Sequence, residues 1–141
     1  SYEQAFNVMR RLRLPYSQTQ EMFRRIMFNV VVRNQDDHTK NISFLMDSSG
    51  QWSLSPAYDM GFAYNPLGAW TATHQMSING KFDNITRADL LSLANANNIK
   101  NASEIIDQVC ETTAGWPELA KNCGVPQKMI DGIVPHMLLS I

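Results

Sequence analysis

Apolar residues recur at helical spacing along most of this chain, with one interruption near its first quarter. Tyr2, Phe6, Met9 and Leu12 share one face and predict a helix over residues 2–12. Leu14-Pro15 ends that pattern, because the residue before a proline is pushed out of the α region. Ser17-Gln-Thr-Gln20 reads as a capping box that opens a second helix. Met22, Phe23, Ile26, Met27, Val30 and Val31 then make a broad apolar stripe, with Arg24 and Arg25 on the other face. This helix is expected to pack in the core and to deliver Asn34 at its C-terminal end.

The interruption is Asn34-Gln-Asp-Asp-His-Thr-Lys-Asn41, a polar knot between the apolar run Phe28–Val32 and the alternating run Ile42–Met46. So many polar groups are costly to bury without partners. The knot therefore belongs on an exposed turn or in a site that uses it. Ile42–Met46 and Gln51–Leu54, joined by Asp47-Ser-Ser-Gly50, predict a β-hairpin closed by Pro56. From Gly61 to Lys81 the chain is punctuated by Gly, Pro and Asn and suits an irregular loop, with an extended piece around 70–78. Thr86-Arg-Ala-Asp89 predicts the start of a helix carrying Leu90, Leu91, Leu93 and Ala94. Ser103 opens another with Ile105, Ile106 and Val109, broken near Gly115 and Pro117, with a short turn to Asn122. Gly124 suits a C-cap and Pro126 a helix start. Pro135 predicts a kink in the last helix, which carries Met129, Ile130, Ile133, Met137 and Leu138. The expected fold is mostly α with one β-hairpin, a single domain over residues 1–141 with no repeat and no linker.

Composition narrows the function classes. The net charge of −1 advertises no broad field for nucleic acid. No window approaches the ~20 apolar residues of a membrane span, and no signal peptide is visible. Cys110 and Cys123 lack metal-ligand spacing and are expected to be buried free thiols of a cytoplasmic protein. The chain opens directly into a helical pattern, which suggests a piece of something longer.

The knot has the layout of a phosphoryl-transfer site. Such a site needs a carboxylate to accept the hydroxyl proton, plus a carboxamide and a second carboxylate to hold Mg²⁺ against the phosphates of ATP. In protein kinases the first two lie on one loop as Asp-x-x-x-x-Asn, and the metal-binding aspartate follows a hairpin. Asp36 and Asn41 have that spacing, a hairpin follows at once, and Asp59 stands in Tyr58-Asp-Met-Gly61 where a kinase has Asp-Phe-Gly. His38 lies two positions after Asp36, where many kinases carry a lysine that touches the transferring phosphate. Asp37 breaks the spacing to Asn41 and is expected to be a structural acceptor.

Asp36-Asp-His38-Thr-Lys40-Asn41, followed by Tyr58-Asp59, resembles the C-terminal domain of the HipA family of serine/threonine kinases, the toxins of HipBA-type toxin–antitoxin modules. The resemblance covers nearly the whole chain. It implies the C-terminal, helical lobe of a protein-kinase-like fold, with Asp36 as catalytic base. It implies Asn41 and Asp59 as Mg²⁺ and ATP ligands, His38 near the phosphate, and Lys40 as a further positive charge at the site. It implies a protein substrate, a translation component such as an aminoacyl-tRNA synthetase, and a DNA-binding antitoxin as partner. No Gly-rich loop and no strand-borne lysine precede Asp36. The nucleotide-binding lobe is therefore expected to be absent from this chain, and the chain alone to be inactive.

Two other functions are weighed: a metal-dependent phosphohydrolase using Asp36, Asp37, His38 and Asp59, and a non-catalytic helical module that binds an antitoxin. His74 and His136 stand alone and lack the company a phosphohydrolase needs. Trp52 is expected to pack on a helix, and Trp70 and Trp116 to pack in the core or at its rim, with anchoring of a partner as the alternative. Lys81 and Arg87, beside the Asn79-Gly80 turn, make a minor basic spot for nucleic acid.

Overall fold

The computed structural model describes residues 1–141. The order is α1 (Tyr2–Arg11), α2 (Tyr16–Val31), a 3-10 turn (Thr39–Asn41), β1 (Phe44–Met46), β2 (Trp52–Leu54), α3 (Arg87–Ala96), α4 (Ala102–Ala114), α5 (Trp116–Asn122), α6 (Gln127–Ile133) and a 3-10 turn (Val134–His136). The fold is mostly α with one two-stranded antiparallel hairpin, pairing Phe44 with Leu54 and Met46 with Trp52.

α2 is the axis of the molecule. Met22, Phe23, Ile26, Met27, Val30 and Val31 are all buried, and α2 packs most extensively on α4 through Ile105, Ile106 and Val109. Tyr2, Phe6 and Met9 of α1 and Leu90 and Leu93 of α3 complete one continuous core. The hairpin is fastened to α2 by polar bonds. Gln18 Oε1 accepts from the Leu54 amide (2.7 Å), and Arg25 Nη1 donates to Ser55 O (2.9 Å).

Helix ends explain how the chain reaches the site. α2 finishes in a Schellman motif: the Arg33 amide donates to Val30 O (3.3 Å) and the Asn34 amide to Asn29 O (2.8 Å), with Arg33 left-handed at φ 54°. α1 ends the same way on Arg13 (φ 58°), α3 on Asn98 (φ 57°) and α5 on Gly124 (φ 80°). Asn34 thus leaves α2 in a fixed direction, two residues beyond the C-cap Val32.

Several expectations need correction. α2 begins at Tyr16, with Pro15 at its N-cap and no side-chain cap, so Ser17–Gln20 lies inside the helix and not at its cap. Pro15 is extended at the N-cap (φ −67°, ψ 156°), and the Gln18 side chain is taken by the hairpin. α4 starts at Ala102, one residue before Ser103. Residues 116–122 form a helix, α5, where a turn was expected, because Pro117 at its start needs no helical N–H partner. Pro135 ends the last helix and does not kink it: α6 stops at Ile133 and Met137 is extended. Residues 70–78 form no strand; only an isolated bridge joins Ile78 to Lys81. Cys110 is half-buried and Cys123 exposed, and both are free. Trp52 and Trp70 are 41 % and 76 % exposed. No helix is long and apolar enough to cross a membrane.

Candidate active site

The polar knot divides by burial. Asn34, Gln35 and Asp37 are buried, while Asp36, Thr39 and Lys40 are exposed. The buried set has partners throughout. Asp37 Oδ2 accepts from the Tyr2 hydroxyl (2.6 Å) and from His74 Nδ1 (2.9 Å), and Oδ1 accepts from the Gln75 amide (2.7 Å). A carboxylate can only accept, so the His74 proton facing it sits on Nδ1. With its amide nitrogen facing the carbonyls, Gln35 donates to Thr71 O (2.9 Å) and Ala72 O (3.0 Å). The main chain of 33–35 pairs with Ala63: the Ala63 amide donates to Arg33 O (3.1 Å) and the Gln35 amide to Ala63 O (3.0 Å). Both ends of the 63–75 loop are thereby fixed to the knot.

The exposed set is held by its main chain, leaving side chains free. Asp36 O accepts from the His38 amide (2.9 Å) and from Asn41 Nδ2 (3.1 Å), whereas the Asp36 carboxylate has no hydrogen bond or ion pair. Because the Asn41 nitrogen is used, its carbonyl oxygen faces away from Asp36 and is unpaired. The Tyr58 hydroxyl donates to Lys40 O (2.7 Å), which draws the segment after the hairpin against the 3-10 turn. Asp59 follows, left-handed at φ 53°, its carboxylate also without a partner.

His38, Asn41 and Asp59 line one small cavity of about 20 Å³, together with Asn34, Asp37 and Tyr58. Asp36 and Lys40 lie outside its wall, joined to it through the main-chain bonds just described. The cavity has room for about one water-sized guest. His38 Nδ1 is buried there without a partner. A much larger groove of about 670 Å³ lies between α2, α4 and α5, where it is mainly apolar, and shares only Met60 with this cavity. Its chemistry is not that of the knot.

The donors suit Mg²⁺, which takes oxygen ligands and accepts one or two from protein with the rest from phosphate and water. Asn41 offers a carbonyl oxygen and Asp59 a carboxylate, both unpaired. No group of three or more His, Cys, Asp and Glu side chains is placed to hold a metal. Asp37, which a phosphohydrolase would need, is occupied by Tyr2, His74 and Gln75.

The family model for the HipA-like C-terminal domain matches residues 1–116. The chain belongs to that family. Membership puts it among the HipA-like toxins, and the matched residues carry the whole knot, the hairpin, Tyr58-Asp59 and the 63–75 loop. No curated protein and no solved structure matches the chain.

Spacing in the sequence does not reveal the polar roles of His74, Tyr2, Asn29 and Asn34. The Tyr2 ring is buried on the apolar face expected of it, and its hydroxyl is the polar handle. Burial, with the Asp37 charge second, raises its pKa well above the ordinary value of 10.0. His74 lies 37 residues from Asp37 and had no local signal. Lys81 and Arg87 are each committed to an ion pair, with Asp89 and Asp107, both at 2.8 Å.

Proposed function

We propose that this domain is the catalytic half of a HipA-like Ser/Thr protein kinase, acting in the cytoplasm and transferring the γ-phosphate of ATP to a protein hydroxyl. The observation that carries the reading is the contrast among the three aspartates. Asp36 and Asp59 keep free carboxylates at an exposed edge, whereas Asp37, between them in the knot, is fully engaged.

In this reading Asp36 accepts the proton of the attacking hydroxyl, and its exposure leaves it open to a macromolecular substrate. Asn41 and Asp59 hold Mg²⁺, which supplies charge neutralisation at the phosphate oxygens when bound. The buried, unpaired His38 Nδ1 is placed to donate to a phosphate oxygen when it carries its proton. Lys40 adds positive charge nearby. The 20 Å³ cavity is far too small for a nucleotide, so we assign adenine and the α- and β-phosphates to residues outside these 141. The substrate class suggested by the resemblance is a translation component such as an aminoacyl-tRNA synthetase, and the partner a DNA-binding antitoxin.

The test is phosphotransfer by the full-length protein. Asp36→Asn keeps the shape and removes the proton acceptor, so the rate at saturating ATP and Mg²⁺ falls by about 10²–10⁴. Asp59→Asn raises the Mg²⁺ requirement first. Full activity in Asp36→Asn overturns the assignment of the base.

A further inference from the structure

We infer that Asn34 is the positioning residue for Asp59, and that a one-way hydrogen-bond relay rooted at Asp37 holds Asn34 in place. This rests on Asp59 being a metal-holding residue, as proposed above.

The main chain after the hairpin is nearly free of support. Between the Ser55 amide, which donates to Ser43 O, and the Ala63 amide, which donates to Arg33 O, no main-chain group of residues 56–62 joins a backbone–backbone hydrogen bond. For residues 57–62 one main-chain bond exists: Asn34 Nδ2 donates to Asp59 O at 3.2 Å. That bond falls on the residue whose backbone is left-handed, at φ 53°. Aspartate tolerates this conformation better than most residues, yet it still prefers the extended region. The Tyr58 side chain ties the segment to Lys40 O, but the only bond on its own main chain falls at its least favourable residue, and the Asp59 backbone takes its geometry from that bond.

Donor and acceptor roles then fix the anchor itself. Asp37 Oδ2 can only accept, so the Tyr2 hydroxyl spends its one proton there. Tyr2 oxygen must therefore accept from its other neighbour, and Asn29 Nδ2 donates to it at 3.0 Å. With its nitrogen so used, Asn29 turns its Oδ1 toward Asn34, whose Nδ2 donates to it at 3.0 Å. The second proton of that same nitrogen goes to Asp59 O. Each step leaves one orientation for the next amide, so the buried carboxylate sets which way Asn34 faces at the site. Tyr2, Asn34 and Asp37 are at most 3 % exposed, so the root of the line and the amide at its far end are shielded from water, while Asn29 between them is partly buried.

Partners that orient metal ligands are worth about 10–100-fold in metal affinity. In the full-length protein, Asn34→Ala should raise the Mg²⁺ concentration for half-maximal phosphotransfer by a factor in about that range while leaving the rate at saturating Mg²⁺ close to wild type. Asn29→Ala, one step back, should move it in the same direction by less. A second readout needs no activity: in the 141-residue chain, the ¹³Cα and ¹³C′ shifts of Asp59 report its backbone conformation, and Asn34→Ala should move them away from left-handed values. If Asn34→Ala fails to fold, Asn29→Ala carries both measurements. A role confined to stability predicts a lower melting temperature with an unchanged Mg²⁺ curve and unmoved Asp59 shifts, and that result overturns the inference. Absence of Mg²⁺-dependent phosphotransfer in the wild type would defeat the kinase reading instead, and the Asp59 shifts would still decide the role of Asn34.

Discussion

Asp36 and Asp37 are neighbours in sequence and opposites in environment. Asp37 sits in the core beneath α1 and α2 with three donors on its two oxygens. Asp36 faces outward with its main chain fastened and its carboxylate bare. One residue of offset sends the first side chain toward solvent and the second toward Tyr2 and His74. The difference teaches that a pair of acids in a motif need not share a task. A carboxylate fully satisfied by buried donors has spent its capacity to accept a proton or bind a metal, and its use is to hold the loop. A carboxylate kept free on a rigid backbone is available for chemistry.

Breaking the buried member should have the largest effect on folding. Asp37→Ala strands the Tyr2 hydroxyl, His74 Nδ1 and the Gln75 amide inside the protein, and should cost about 3–5 kcal/mol in urea unfolding. That is a large part of the roughly 5–15 kcal/mol typical of a domain. A loss below about 1 kcal/mol would mean that Asp37 is not the anchor described.

Tyr2→Phe should cost less, about 1.5–3 kcal/mol, by removing one bond to a charged acceptor and leaving Asn29 short of a partner. It should also change the alkaline limb of stability. The folded state keeps Tyr2 protonated at pH values where the unfolded chain has released that proton, because its pKa is raised above 10.0 by burial and by Asp37. Its contribution is complete below 10.0 and is lost as the pH rises above that value toward the raised one. Wild-type stability should therefore fall more steeply above about pH 10 than that of Tyr2→Phe. Parallel curves would remove Tyr2 from the titrating set.

The smallest effect is expected at the exposed member. Asp36→Ala should shift unfolding by no more than about 0.5 kcal/mol, as for a surface side chain without partners. Set beside the loss of rate that the proposed role of Asp36 as base requires, this separates the two acids by measurement: Asp37 is expected to move stability, and Asp36 turnover.

The sequence made some of this visible, and the reason is range. The Thr86 capping box is contained within four residues, and the structure has it, with Thr86 Oγ1 accepting from the Asp89 amide and Asp89 bonding back. The β-hairpin around Asp47–Gly50 and the C-cap at Gly124 are equally local. The end of α2 before Asn34 was legible, but its left-handed residue was hidden because it is Arg33 and not glycine. Trp70 was misplaced because nothing in the neighbouring residues says which way an irregular loop turns its aromatic ring. At the candidate site, Asp36, His38, Asn41 and Asp59 stood out by spacing, and Lys40 only through the resemblance. The structure sets His38, Asn41 and Asp59 on one cavity and leaves Asp36 and Lys40 beside it. The supporting residues could not be read in advance. Tyr2, Asn29 and His74 reach Asp37 or its relay only through tertiary packing, and Asn34 looked like a helix end.

Tyr2 carries a practical consequence for domain excision. It is the first residue of α1, its amide donates to Ser77 O (3.1 Å), and Ser1 and Gln4 cap the helix around it. Helix boundaries alone would suggest that a shorter start merely frays one end. A boundary drawn past Tyr2 would instead remove a buried ring from the core together with the hydroxyl that orients Asn29 and, through it, Asn34 behind Asp59.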